Sequence, residues 1–398
     1  MVGPLATALA LAFTQGAVAQ FTLACVGHTT NSNPQGAFAQ SVAVSGHYAY
    51  LANAQGGLLV YDVTSATNPI LVSSINNNGL YGDAVAVAVS GQCLYLGDDQ
   101  NGLLTYGVPN PASPIWWAQN TDGISNGGSA GTVAISGNYL YLGNGVDGLR
   151  IYNLSDPSNP VNVAEVDTGG GFAGPLGIAI SGKIVYMACD EIGGLQAYGI
   201  TNPASPVFLS QIDTGNVASD VVVSNGYAYV ANWTGGLLVY DVSNPLPPLL
   251  IGQTNNGGMA VGVALLGNYV FLANSWDGVR IYDVSKPSNP VNVGHTATDY
   301  GGSAISLVVA GKYLYVANMS DGLRIFSVCP SLNIALTNSN DILFAWSAPL
   351  GSFALQQSSN LCANTWLTMT DAVVAVNSQY RVVTPQPPTA RYYRLRSQ

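Results

Sequence analysis

Charge is the first shortage in this chain. Only 8% of its 398 residues are Asp, Glu, Lys or Arg, against roughly 25% in an average soluble protein. The surface must therefore come from Asn, Ser, Thr, Gly and Tyr, which argues against a helical cytosolic enzyme. Positive charge is scarcer still. Ten Lys and Arg are spread along the chain without forming a patch, and the formal net charge is −10. Phosphate contacts dominate nucleic-acid affinity, so nucleic acid is not an expected partner, nor is an anionic membrane surface.

Histidine is reduced to three residues. His28 and His295 fall at equivalent positions of a repeat, and His47 falls in a turn on the other face. They cannot converge on one metal. Nucleophile elbows and His-based triads are missing. No catalytic set, no metal and no cofactor is expected. Beyond the N-terminus there is no apolar run of the roughly 18 residues that a spanning helix needs, so no transmembrane segment is expected.

What the chain has in abundance is glycine, 46 residues, and tyrosine, 22. Both recur in register. A Gly or Asn precedes a β-rich run at Gly46, Gly91, Gly137, Gly182, Asn225, Gly267 and Gly311. An aromatic follows within that run at Tyr50, Tyr95, Tyr141, Tyr186, Tyr229, Phe271 and Tyr315. A turn glycine comes next at Gly57, Gly102, Gly148, Gly194, Gly236, Gly278 and Gly322. A second aromatic closes the phrase at Tyr61, Tyr106, Tyr152, Tyr198, Tyr240, Tyr282 and Phe326. The clearest copy is GNYVFLANSWDGVRIYDVSKPSNP, Gly267–Pro290. A strand-built repeat with a period in the forties is the signature of a β-propeller.

Each copy predicts four strands. Strand A precedes the first glycine, B is the YLYLGN-type run, C is the GLRIY-type run, and D follows a proline-rich loop. B and C are apolar on both faces, as expected of a sheet packed on both sides. The reading is an all-β, seven-bladed propeller over residues 20–330.

The phrase GLxVYDVSxPxxP, following a YVAN-type strand, resembles the LVIVD repeat family over roughly Phe21–Val328. The resemblance implies a β-propeller and an extracytoplasmic setting in bacteria or archaea. It supplies no active site.

The N-terminus agrees with export. Leu5–Phe13 is a short apolar core, and Ala17-Val18-Ala19 is a cleavage site before Gln20, although no Lys or Arg precedes the core. Residues 1–19 are read as a signal peptide, and the mature protein as a secreted or cell-surface monomer.

The seventh copy lacks a D strand. Val26-Gly27-His28-Thr29 matches Val293-Gly294-His295-Thr296 of the sixth copy's D strand. The mature N-terminus is therefore expected to complete blade seven and remove two open edges. Cys25 would lie on that strand and Cys329 at the end of its neighbour, so a Cys25–Cys329 disulfide is expected. After Pro330 the repeat stops. Residues 331–398 carry short strands and resemble a small fibronectin-III-like sandwich.

Propeller geometry puts B–C and D–A loops on one face. Thirteen of the 20 acidic residues fall there, among them Asp98, Asp99, Asp147, Asp277 and Asp321. Such a rim should focus a negative potential. Arg150, Arg280 and Arg324 stand two residues into strand C, within reach of these acids. Trp233 and Trp276 occupy B–C loops of adjacent blades, and Tyr300 a D–A loop. Aromatic faces beside Asn and Asp suit sugar rings. The expected ligand site is therefore Trp233, Trp276, Asp277, Tyr300 and Asp220, taking a glycan or a cell-surface protein. Asp220 is singled out because other copies carry Ser41, Ala86, Thr132, Gly177, Gly262 and Ser306 at its position in strand A. It also leads the alternative reading, a polysaccharide-active hydrolase or lyase using carboxylates on the B–C and D–A loop face.

Overall fold

A computed structural model describes residues 23–30, 37–76, 80, 82–121, 129–169, 174–190, 193–244, 247–255, 257–297 and 302–328, and within the tail 332–337, 341–347, 353–358, 366–371, 373–376, 379–385, 387 and 391–397. Seven four-stranded antiparallel sheets form the blades. Their inner A strands are Ser41–Ser45, Ala84–Ser90, Thr132–Ser136, Pro175–Ser181, Asp220–Ser224, Gly262–Leu266 and Ser306–Ala310. Each A strand packs on the next, and that of blade seven packs on that of blade one, so the ring is closed. Among the described residues, no helix is long and apolar enough to cross a membrane.

The two glycine columns have one cause. At the A–B turn, φ lies between +52° (Asn225) and +60° (Gly91 and Gly311), and the B–C turn glycines also have positive φ, such as +76° at Gly236. That left-handed region penalises any Cβ, and Asn tolerates it better than most. A Cβ on Gly236 would also stand 2.1 Å from Thr254 O.

Seven buried clusters each fill one seam between neighbouring blades. Successive residues of strand B serve opposite seams. Leu94 and Leu96 pack with blade one, while Tyr95 between them packs with blade three. This is why B and C read as continuous apolar runs rather than alternating ones. Each fully buried aliphatic or aromatic side chain contributes about 1.5–3 kcal/mol.

Blade seven is completed from the far end of the chain, as the repeat predicted. The strand Ala24–Thr29 pairs antiparallel with Leu323–Ser327. In each of the other six blades the C–D pairing carries one register shift, immediately before the recurring tyrosine of strand C, as between Ile281 and Tyr282. The N-terminal strand reproduces it between Cys25 and Gly27, opposite Phe326 and Ile325. Leu23 N–H donates to Thr296 Oγ1 at 2.8 Å, tying the same segment to blade six. Gly27 lies against blade one, where an added Cβ would stand 1.8 Å from Ala66 O.

Among the described residues, Cys25 has no disulfide partner. Its register partner is Phe326 rather than a residue nearer Cys329, and its Sγ lies 3.4 Å from Gly27 O. Cys329, the expected disulfide partner, falls outside the described residues, as does the expected signal peptide.

The tail forms two further sheets, one of four strands and one of three. Phe344 and Val382 from the first and Leu355 from the second share a small core. A short strand, Val374–Val376, pairs with Gln379–Thr384 and has no counterpart in the sequence reading. The fibronectin-III assignment remains a resemblance.

Candidate functional site

The B–C turns give the upper face its shape. Ala54, Trp233, Ser275 and Met319 adopt positive φ without being glycine. Each forms an isolated antiparallel bridge with a residue just before, or at the start of, the next blade's inner strand. The pairs are Ala54↔Ala84, Trp233↔Ala260, Ser275↔Ala304 and, across the ring closure, Met319↔Ala39. The left-handed conformation lets both backbone groups of the turn reach the next blade, as in Trp233 N to Ala260 O and Ala260 N to Trp233 O, both 3.0 Å. The turns thus serve as seams as well as loops.

The acids of this face are more engaged than a solvated rim would require. In blade six, Arg280 Nε donates to Asp277 Oδ2 at 2.6 Å, Asn274 Nδ2 donates to the same oxygen at 2.6 Å, and His295 Nε2 lies 3.3 Å from Oδ1. Burial pushes the Asp277 carboxyl up, but these hydrogen bonds outweigh it and hold Asp277 below the ordinary carboxylate range. Blade seven repeats the set with Asn318, Asp321, Arg324 and His28. Blade three has Asn144, Asp147 and Arg150, with Glu165 at the histidine position. The arginine–acid pairing expected from sequence is present in all three blades, and it neutralises three acids of the supposed one-sign rim. Asp98 is fully buried, and its Oδ1 accepts from Gln100 N, Asn101 N and Asn101 Nδ2. Among the described residues, no group of three His, Cys, Asp or Glu is placed to hold a metal ion.

The residues named from sequence fall in three places. Trp233 is 38% exposed and forms one wall of a cleft of ≈ 410 Å³, with Asp213, Gly215, Asn216 and Val217 of the incoming D–A loop. Asn232 Nδ2 bonds Thr214 O at 2.9 Å, and Thr234 Oγ1 bonds Asn216 Oδ1 at 3.3 Å, holding turn and loop together. Trp276, in the next blade's turn, is 63% exposed beside the engaged Asp277. Tyr300 lies outside the described residues. Asp220 belongs to neither turn.

Asp220 lines the central channel, a space of ≈ 220 Å³ walled by residues in or just before the A strands of the seven blades. At its level the other blades contribute Ser41, Ala86, Thr132 and Ser306, with Gly177 and Gly262 on the two flanking blades. Gly177 makes room, because a Cβ there would stand 2.7 Å from Asp220 Oδ1. Oδ1 accepts Val221 N–H at 2.8 Å and Oδ2 accepts Val263 N–H, from blade six, at 2.9 Å. Burial pushes the carboxyl up to about 7, against the opposing pull of the Val263 and Val221 hydrogen bonds. Sequence reasoning found Asp220 through its mismatch with the other copies, but passed over its neighbour Ser219. The same column comparison sets that serine against Gln40, Val85, Gly131, Leu176, Val261 and Ile305.

The LVIVD repeat model matches seven times, at residues 36–77, 81–119, 127–168, 176–214, 215–256, 257–298 and 301–328. No curated protein matches the chain. Among solved structures, the computationally designed Ika8 protein is similar at 11% identity, over 76% of this chain and 100% of that one, with a TM-score of 0.53. BamB from Moraxella catarrhalis is similar at 14% identity, over 72% of this chain and 81% of that one, with a TM-score of 0.48. At such identities the likeness to the designed protein concerns the fold alone.

Proposed function

Because the chain belongs to the LVIVD repeat family, with each full match spanning one blade, we propose that it is an exported, non-catalytic binding or scaffold module. Its ligands are glycans or cell-surface proteins, taken on the face of the B–C and D–A loops at blades five and six. One observation carries this reading. A tryptophan occupies the left-handed turn position that other blades fill with Ala54, Ser275 or Met319, and it remains 38% exposed beside a polar cleft. Neither backbone strain nor burial favours an indole at such a place. Its aromatic face, edged by Asp213 and Asn216, suits a sugar ring, with its apolar C–H face and hydroxyl rim. Trp276 extends the same chemistry to the adjoining blade.

The test is a glycan array and a cell-surface pull-down with the full mature chain and the Trp233→Ala/Trp276→Ala variant. The reading expects at least tenfold weaker binding in the variant. Unchanged binding to every ligand found would overturn it. Sequencing the exported product tests the compartment, with Gln20 expected as the first residue.

The alternative, a polysaccharide-active hydrolase or lyase, would use carboxylates of the B–C and D–A loop face, a hydrolase needing two of them roughly 5–10 Å apart. Among the described residues lining the channel, Asp220 is the single acid, so a second carboxylate would have to come from that loop face.

A further inference from the structure

The channel supports a second inference, independent of the tryptophan face. Its ≈ 220 Å³ is below the roughly 300–1,000 Å³ of sites for drug-sized ligands. At roughly 30 Å³ per water, it holds about seven waters, room for an ion with its hydration shell. Lys, Arg and His are absent from its described lining, and its side-chain donors are Gln40, four hydroxyls and the Asp220 carboxylate. That donor set is oxygen-rich and free of sulfur and imidazole, which suits hard cations rather than zinc or copper.

Two details point to an occupant near blade five. Asp220 is fixed across the seam to blade six by one backbone N–H on each oxygen, and each oxygen retains a second lone pair. Ser219, 8% exposed and lining the same space, has an Oγ with no hydrogen-bond partner in the structure. A buried hydroxyl left unpaired is costly, and a ligand would relieve it.

We propose that the channel binds one hard, calcium-type cation beside Asp220 and Ser219, with water completing its shell. Calcium accepts six to eight oxygens in a flexible arrangement, and a site with a single carboxylate belongs to the weak class, with Kd on the order of 10⁻⁴–10⁻³ M.

The test uses the full mature chain, freed of metal by a chelator and then dialysed. Equilibrium dialysis with radioactive calcium should show one ion per chain. Thermal unfolding should shift upward in 10 mM CaCl₂ but not in NaCl of equal ionic strength, because a ligand of the folded state stabilises it by mass action. Asp220→Asn, which keeps the side-chain shape, should abolish both signals. Ser219→Ala should weaken calcium at least threefold, and serves alone if the first variant does not fold. No calcium binding by the wild type, an equal shift in NaCl, or unchanged binding in Ser219→Ala would each overturn the proposal.

Discussion

His28, on the first strand of the chain, places its Nε2 3.0 Å from Oδ1 of Asp321, 293 residues later. Arg324 Nε donates to the other oxygen of the same carboxylate. A loop acid of blade seven thus joins its own C strand to a D strand brought from the N-terminus. The same arrangement holds in blade six, where all its members come from consecutive sequence.

The two arrangements differ in burial, which sets their energetics. Asp321 and Arg324 are each 6% exposed, whereas Asp277 and Arg280 are each 22% exposed. Removing one partner of a buried pair strands the other charge, at a cost of about 3–5 kcal/mol. More exposed pairs contribute about 0–1 kcal/mol. Asp321→Ala should therefore lower the urea midpoint far more than Asp277→Ala. Equal losses would contradict this account of the pairs.

Gly27 provides a steric test of closure. An added Cβ would meet the backbone of Ala66, which cannot swing aside, so Gly27→Ala should cost about 1–3 kcal/mol or more. Gly199→Ala is the control, because its nearest neighbour would be 3.7 Å away, an ordinary contact. Its effect should stay within about 1 kcal/mol of zero. Urea unfolding of both variants gives the comparison.

Asp220 should make stability depend on pH in the metal-free protein. Its folded value of about 7 lies above the ordinary 3.8. Between these values the folded state holds a proton that the unfolded chain has released, so stability falls as pH rises from about 4 to 7 and then levels off. Asp220→Asn should flatten that slope. A wild-type urea midpoint that rises with pH across this window, beyond the change seen in the variant, would contradict the assignment.

Trp233→Gly should leave stability unchanged or raise it by up to about 1 kcal/mol, because glycine relieves the positive φ of +41° at the cost of a more flexible unfolded chain. A large loss of stability would show that the indole packs rather than serves the surface. Calorimetry beside the binding assay separates the two effects.

The thiols provide a further check on burial. Cys25 is exposed, while burial pushes the Cys189 thiol up to about 12. Iodoacetamide should label Cys25 in the native protein and reach Cys189 only on unfolding. Protection of Cys25 reversed by a reductant would instead restore the bridge to Cys329.

Much of the architecture was legible because the repeat made each residue its own control. The glycine columns mark left-handed turns, the aromatic columns mark seams, and a missing D strand pointed to Phe21–Thr29. Asp220 stood out for the same reason, as a carboxylate in a column of small residues. Three-dimensional engagement was not legible. Asp98, in the column of Asn274, and Asp277, in the column of Asn101, both read as acids of one rim, yet one is buried in its own turn and the other is clamped by Arg280 and His295. Nor could the sequence show Ser219 as an unpaired hydroxyl, because pairing depends on which groups the neighbouring blades bring within reach.

Amide hydrogen exchange across the strand Ala24–Thr29 tests the central claim most directly. If this strand completes blade seven, its hydrogen-bonded amides will exchange as slowly as those of Leu323–Ser327, and both will be released together on unfolding. Exchange of Ala24–Thr29 within seconds, at the rate of a free terminus, while the A and B strands of blade seven stay protected, would contradict it.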